Sequence, residues 1–259
     1  MGKNKLKKFE DMRSWGHVYE FAQSDYASQD HPLKGRWHEE VFGNDRPIVL
    51  ELGCGKGEYA VGLAQACPDK NYIGIDIKGA RMWTGAREAA EKGLGNVVFL
   101  RTHIEFLSQF FAPDEVSEIW LTFPDPQMKK LRKRLTSTRF MQQYARMLKA
   151  GGCVHLKTDS RFLFEYTEAM MAANRLTAQY RSDDLYRDGF QTDPRTGLRQ
   201  PGAASLPDIQ TFYEKQWLAR GLSIKYLRLS LPKEAAWQEP EEEIEPDEYR
   251  SFGRSARNI

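Results

Sequence analysis

The chain has 259 residues and a formal net charge of +2: room for one large α/β domain or two small ones, and too little charge for a global field that draws a polyanion. Its three cysteines, Cys54, Cys67 and Cys153, form neither a paired framework nor a metal-ligand spacing and read as small buried thiols in a reducing compartment. With no 18-residue apolar run and no apolar segment ahead of a small-residue cleavage site, neither a membrane span nor a secretory leader is expected, no metal is expected, and the location expected is cytoplasmic.

Residues 1–46 form a basic and aromatic arm, with KNKLKKF at its start and Phe9, Trp15, Tyr19 and Trp37 along it; it reads as irregular or partly helical rather than as a domain. Residues 47–232 then alternate. IVLELGC (48–54) is a short apolar run ending at glycine, the pattern of a buried strand, and EYAVGLAQAC (58–67) has helical spacing. NYIGIDI (71–77) is a second strand, 78–93 a helix closed by Gly93, and NVVFLRT (96–102) a third strand. IEFLSQFF (104–111) is a short helix, EIWLTF (118–123) a fourth strand, and 139–152 a helix ending in lysine and glycine. CVHLKTD (153–159) is a fifth strand and 161–174 a helix, followed by strands over 176–186 and 223–231. Strand–helix alternation predicts a doubly wound, Rossmann-like sheet, mostly parallel, with helices on both faces and an antiparallel strand near one edge. Residues 189–210, rich in Gly, Pro and Ser, read as a long loop, and 233–259, with eight acids between Glu234 and Glu248, as a disordered acidic tail.

The first strand runs into Glu51-Leu52-Gly53-Cys54-Gly55-Lys56-Gly57-Glu58. Gly53, Gly55 and Gly57 let a ligand approach the backbone, but the spacing is G-x-G-x-G, and Glu58 stands where a dinucleotide fingerprint needs its third glycine. Glu51 and Glu58 would repel a pyrophosphate. They suit S-adenosyl-L-methionine, which carries a sulfonium and an amino group and no phosphate. Asp76, after the second strand, is placed to bond ribose hydroxyls. His103, after the third, is placed to contact the adenine region, unless it is an ordinary surface histidine.

The fourth strand ends in Phe123-Pro124-Asp125-Pro126, with prolines stiffening the backbone on both sides of Asp125. Lys129, Lys130, Arg132, Lys133, Arg134 and Arg139 follow without an intervening acid. A solvated helix start would mix its signs, so phosphate contacts to RNA are the better reading, and the acidic tail is expected to compete with RNA for this basic face.

ELGCGKG, GIDIK, TFPDP with the bases after it, LKTD (156–159) and TFYE (211–214) occur in the order found in the bacterial tRNA (guanine-N7)-methyltransferases, which the chain resembles over roughly residues 45–230. The resemblance implies a class I methyltransferase acting on guanosine 46 of the tRNA variable loop. It implies that Glu51, Asp76, His103 and Asp125 surround the cofactor, with Asp125 the catalytic carboxylate, and that Lys129, Asp159, Thr211, Tyr213 and Glu214 surround the guanosine. Gln127 stands where the family carries tryptophan, the basic run is shorter and lacks a histidine, and His103 replaces Asp or Asn. Two other readings stay open: a methyltransferase of the same class acting on a small molecule or protein, and a non-catalytic RNA-binding module. The partner expected is tRNA, and the oligomeric state is left between monomer and homodimer.

Overall fold

The computed structural model describes residues 3–21, 29–188, 191–192, 199–200 and 209–249. In chain order its elements are α1 (Lys3–Ser14), β1 (Val18–Glu20), a π-helical turn (Trp37–Phe42), β2 (Ile48–Leu52), α2 (Glu58–Ala66), β3 (Asn71–Ile75), α3 (Gly79–Glu91) and β4 (Val97–Arg101). A 3-10 turn (Ile104–Phe106) leads into α4 (Leu107–Phe110), β5 (Val116–Thr122), a second 3-10 turn (Leu131–Lys133), α5 (Thr138–Met147), β6 (Leu148–Thr158), α6 (Arg161–Ala173) and β7 (Ala178–Ser182). The hairpin strands β8 (Gln191–Thr192) and β9 (Arg199–Gln200), α7 (Phe212–Ala219) and β10 (Lys225–Leu229) follow.

Eight strands form one sheet in the order β1-β4-β3-β2-β5-β6-β10-β7. The first six are parallel to their neighbours, and β10 runs antiparallel to both β6 and β7. Chain order reverses between β2 and β5, so the crevice at their C-terminal ends is where such a sheet binds ligands. Every residue of β2 is buried, as a central parallel strand requires. Its side chains still alternate: Ile48, Leu50 and Leu52 pack with the residues of α4, α5 and α6, and Val49 with those of α2 and α3 on the other face.

The structure departs from the sequence reading in four places. The arm is built into the sheet: β1 pairs parallel with β4, and α1 packs on α3, where Asp11 accepts the Trp83 indole N–H at 2.8 Å. The helix expected to reach residue 152 stops at Met147, because Leu148 turns extended and residues 148–152 begin β6; Gly152 fits there because a Cβ would lie 2.9 Å from the carbonyls of Lys149 and Ser117. The long loop carries the β8–β9 hairpin, and the rest of 189–208 lies outside the described residues.

The fourth departure is the acidic tail, expected to be disordered. Residues 233–249 are docked across α5 and α6, because helix N-termini want acceptors and the acids supply them. Glu239 accepts the Thr138 N–H (3.0 Å) and hydroxyl (2.5 Å) at the start of α5, and the Tyr166 hydroxyl as well. Asp247 accepts the Phe162 N–H at 3.0 Å and the Ser160 hydroxyl at the start of α6. Trp237, just before the first anchor, and Ile244, between the two, pack against the core. Residues 250–259 lie outside the described ones. Among the described residues no helix is long and apolar enough to cross a membrane, and no cluster of His, Cys, Asp and Glu could hold a metal ion.

Candidate active site

Because β4, β3, β2 and β5 lie side by side and parallel, the residues that follow them emerge along one edge of the sheet. His103, Asp76, the glycine loop and Asp125 therefore share one crevice. Gly53, Gly55 and Gly57 have φ of +77°, +57° and +73°. Gly57 has a second reason to lack a side chain: its Cβ would lie 2.6 Å from the Phe99 ring and 3.2 Å from the Cα of Gly85, so the loop lies flat on β4 and α3. Asp76 holds the loop from the side. It accepts the Gly55 N–H at 2.9 Å and the Lys78 N–H at 2.8 Å. His103 is exposed, with its ring edge-on to Phe106 at 5.9 Å.

Glu51 sits below the loop, 3% exposed, and accepts the Ala60 N–H at 2.9 Å with the Thr122 hydroxyl at 2.5 Å. The Ala60 N–H belongs to the first turn of α2, where a dinucleotide's pyrophosphate would bind. Burial pushes the Glu51 carboxyl up to about 8; the two hydrogen bonds oppose the shift, and the charges of Asp76 and Glu58 add to it. Glu58 receives the Phe212 N–H at 3.3 Å, so the glycine loop touches the start of α7 directly, and Lys56 reinforces the contact from 4.1 Å over the Phe212 ring. The cradle, open in its backbone and lined by acids, fits a cationic ligand free of phosphate better than a dinucleotide.

Asp125 is exposed at the mouth of the crevice and accepts the N–H of Gln127 at 3.1 Å, closing a tight turn. Phe123 and Gln127 both hold left-handed φ, +50° and +48°, which costs a non-glycine residue about 1 kcal/mol and marks a backbone shape imposed from outside. Arg134 imposes it. Its side chain runs inward, only 5% of the residue being exposed, and donates to the carbonyls of Pro126 (3.1 Å), Gln127 (3.1 Å) and Met128 (3.2 Å). The guanidinium lies 4.0 Å over Tyr166 and 4.6 Å over Phe162. The expectation of a phosphate contact at Arg134 is therefore corrected: it is the strut beneath Asp125. Lys129, Lys130, Arg132, Lys133 and Arg139 are exposed, and among the described residues none of them is ion-paired to a carboxylate.

The residues expected around the substrate lie at the ends of β6 and α7. Asp159 follows β6 and is 2% exposed. Thr211 caps α7, accepting the Glu214 N–H at 3.2 Å, while Glu214 returns the bond to the Thr211 N–H at 3.3 Å, a closed capping box. Tyr213 is half-buried beside Phe212. Glu214, expected beside the guanosine, has both of its carboxylate oxygens engaged within the protein. It is fully buried, with the Lys157 ammonium at 2.8 Å and the Tyr186 hydroxyl at 2.9 Å on Oε1. Lys157 also donates to the Ile209 carbonyl at 3.1 Å.

Four contributors went unassigned in the sequence. Lys157 has a signal: a lysine inside an apolar strand must find a buried partner. Phe212 has none until α7 is seen; it is 45% exposed at the crevice, as Ile77 beside Asp76 is 40% exposed. Tyr249, the last described residue, donates its hydroxyl to Asp159 at 2.7 Å.

A family model described as a putative methyltransferase matches residues 45–225. Among solved structures, the 16S rRNA methyltransferase KamB superposes with a TM-score of 0.54 at 13% identity, over 78% of this chain and 95% of its own. An antibiotic-related methyltransferase gives 0.52 at 18% identity over the same shares, a likeness of fold alone. Sheet order, glycine loop and strand-end acids together define a doubly wound methyltransferase. The relatives narrow this. The tRNA (guanine-N(7)-)-methyltransferase of Bacteroides thetaiotaomicron is 55% identical over 258 residues, 100% of this chain and 98% of the relative. Those of Porphyromonas gingivalis and Bacillus subtilis are 52% and 33% identical, covering 95% and 82% of this chain and 98% and 93% of their own lengths. The chain belongs to the tRNA (guanine-N(7)-)-methyltransferase family.

Proposed function

We propose that this protein methylates N7 of a guanosine in tRNA, guanosine 46 of the variable loop, using S-adenosylmethionine. The observation that carries the reading is Asp125, held at the switch point by Arg134 and two prolines, with the cradle on one side and five exposed bases on the other. S-adenosylmethionine supplies a methyl on a sulfonium, a leaving group that departs as a neutral thioether when the N7 lone pair attacks in line. No proton moves, because N7 carries none, and the positive charge passes from sulfur to the purine. The chain's work is placement, exclusion of water and stabilisation of that charge. Asp125, exposed and rigidly aimed, meets the charge as it develops on the ring. Asp76 takes the ribose, Ile77 offers an apolar surface to the adenine with His103 beyond it, and Glu51, whose raised pKa a bound cation brings down, answers the cationic end as it ionises. Thr211 and Tyr213 border the guanine side, and Lys129 with the other exposed bases holds phosphates.

A methyltransferase acting on a small molecule would use the same cradle but has no need of Lys129, Lys130, Arg132, Lys133 and Arg139 in solvent, with no carboxylate paired to any of them among the described residues. The test is nucleoside mass spectrometry of unmodified tRNA incubated with the protein and S-adenosylmethionine. The expected product is 7-methylguanosine at position 46, lost with Asp125→Ala while cofactor binding survives. Another methylated base would refute the guanine assignment, and no methylation would move the reading to small acceptors.

A further inference from the structure

The acidic tail does more than cap helices. Beyond the Asp247 anchor, where the backbone N–H meets the Met128 sulfur at 3.2 Å, the chain turns into the substrate side of the crevice. There the Tyr249 hydroxyl donates to Oδ2 of Asp159 at 2.7 Å. The ring meets Trp217 edge-on, with centroids 5.7 Å apart. The Arg220 guanidinium lies over both rings, 4.9 Å from Trp217 and 5.8 Å from Tyr249. A flat aromatic ring with a polar hydrogen is thus seated against a carboxylate, an indole and a guanidinium. Those are the contacts by which proteins hold an unstacked nucleobase: an acceptor for a ring N–H, and aromatic or arginine planes beside the base.

Resting on the function proposed above, we propose that Tyr249 sits in the subsite of the substrate guanine. Trp217 and Arg220 belong to that subsite together with Asp159, and the tail is a tethered competitor of RNA for it. The phenol O–H stands where a guanine N–H donates. While Tyr249 is in place Asp159 is 2% exposed, so a base gains the carboxylate only as the ring leaves. The exchange is local. Asp247 is 4% exposed and anchored at α6, whereas Glu248 is exposed and Tyr249 only half-buried, so the ring can swing out without undocking the tail. Glu241, Glu242, Glu243 and Glu248 are exposed on the same tail, negative charge that adds to the competition at low salt.

Removing the whole tail would strip the caps from α5 and α6, so the test uses single side chains in the full chain. Equilibrium tRNA binding and steady-state methylation are measured for Tyr249→Ala, Tyr249→Phe and Arg220→Ala. Loss of the competitor in Tyr249→Ala is expected to lower both Kd and KM for tRNA by about threefold to tenfold, the worth of one net hydrogen bond and its ring. Tyr249→Phe should give a smaller shift of the same sign, and Arg220→Ala should raise both constants in the Tyr249→Ala background. A merely structural role would lower the thermal midpoint without tightening tRNA binding. Weaker tRNA binding or a fall in kcat with Tyr249→Ala would make the ring part of the binding wall and overturn the proposal, as would unchanged constants. If the parent enzyme makes 7-methylguanosine and the Tyr249 variants behave in either of those ways, the inference alone fails. If the parent makes none, the functional reading fails first.

Discussion

Glu51 is a carboxyl that burial holds protonated near neutral pH. Its folded pKa of about 8 lies above the ordinary value of 4.5, so the unfolded chain releases its proton first as pH rises. Between those two values the unfolded state binds fewer protons than the native state, and Glu51 therefore takes stability away as pH climbs. Glu51→Gln copies the protonated form, with an N–H₂ for Thr122 and a carbonyl for Ala60. Its thermal midpoint should gain on the parent steadily from pH 5 to pH 8; a pH-independent difference would show that the carboxyl is already charged. Arg134 makes the second residue-scale prediction. Arg134→Gln removes three carbonyl contacts and two ring contacts from a buried site and should cost about 2–3 kcal/mol by chemical unfolding, against little for Lys130→Gln or Lys133→Gln. Charge runs in a sequence do not say which member turns inward. Arg134 looks like its five neighbours until Tyr166 and Phe162 are seen to wait for it.

At the scale of elements, α5, α6 and α7 each start on an acceptor supplied from elsewhere in the chain or from a closed local box. Ser137, the N-cap of α5, makes no side-chain cap bond, and Glu239 does that work from 101 residues away. Glu239→Ala should cost about 1–2 kcal/mol, while Glu242→Ala, exposed, should be close to neutral by the same unfolding measurement. The Lys157–Glu214 pair sets where α7 begins. Lys157→Met leaves a buried carboxylate uncompensated and should cost about 3–5 kcal/mol, most of it recovered in Lys157→Met/Glu214→Gln, where the capping box survives. Failure of the second change to rescue the first would mean that the ammonium matters through the Ile209 carbonyl. The central strands and helices were legible in the sequence because their burial leaves a period: β2 and β3 differ from expectation only at their last residues. The tail was misread because its composition is that of a disordered segment. What orders it is two helix N-termini, and composition carries no record of where those ends lie in space.

At the scale of the molecule, the charge that matters is local. A net charge of +2 hides exposed bases at 129, 130, 132, 133 and 139 on one side of the crevice and the acids of the tail docked nearby. If the bases hold phosphates, replacing any one by glutamine should weaken tRNA binding at every sequence and reduce the slope of log K against log salt by roughly 0.7–0.9. Arg134→Gln should change the slope only through the loop it deforms. The crevice itself was legible from three motifs, since glycine spacing and strand-end acids are written locally. The side opposite was not, because it is assembled from β6, α7 and the tail, segments that meet only after the sheet has closed.

The long reach of Glu239 and Asp247 also sets an order of events in the cell. Each leaves the ribosome about 85–101 residues after the helix end it satisfies. At roughly 5–20 residues per second, α5 and α6 wait on the order of five to twenty seconds without these acceptors, α6 holding only its local Ser160 cap on the Leu163 N–H. Through that interval β7 and β10 are still being added to the sheet and its two latest fastenings are missing, so it is there that a chaperone would find this chain, or a protease cut it.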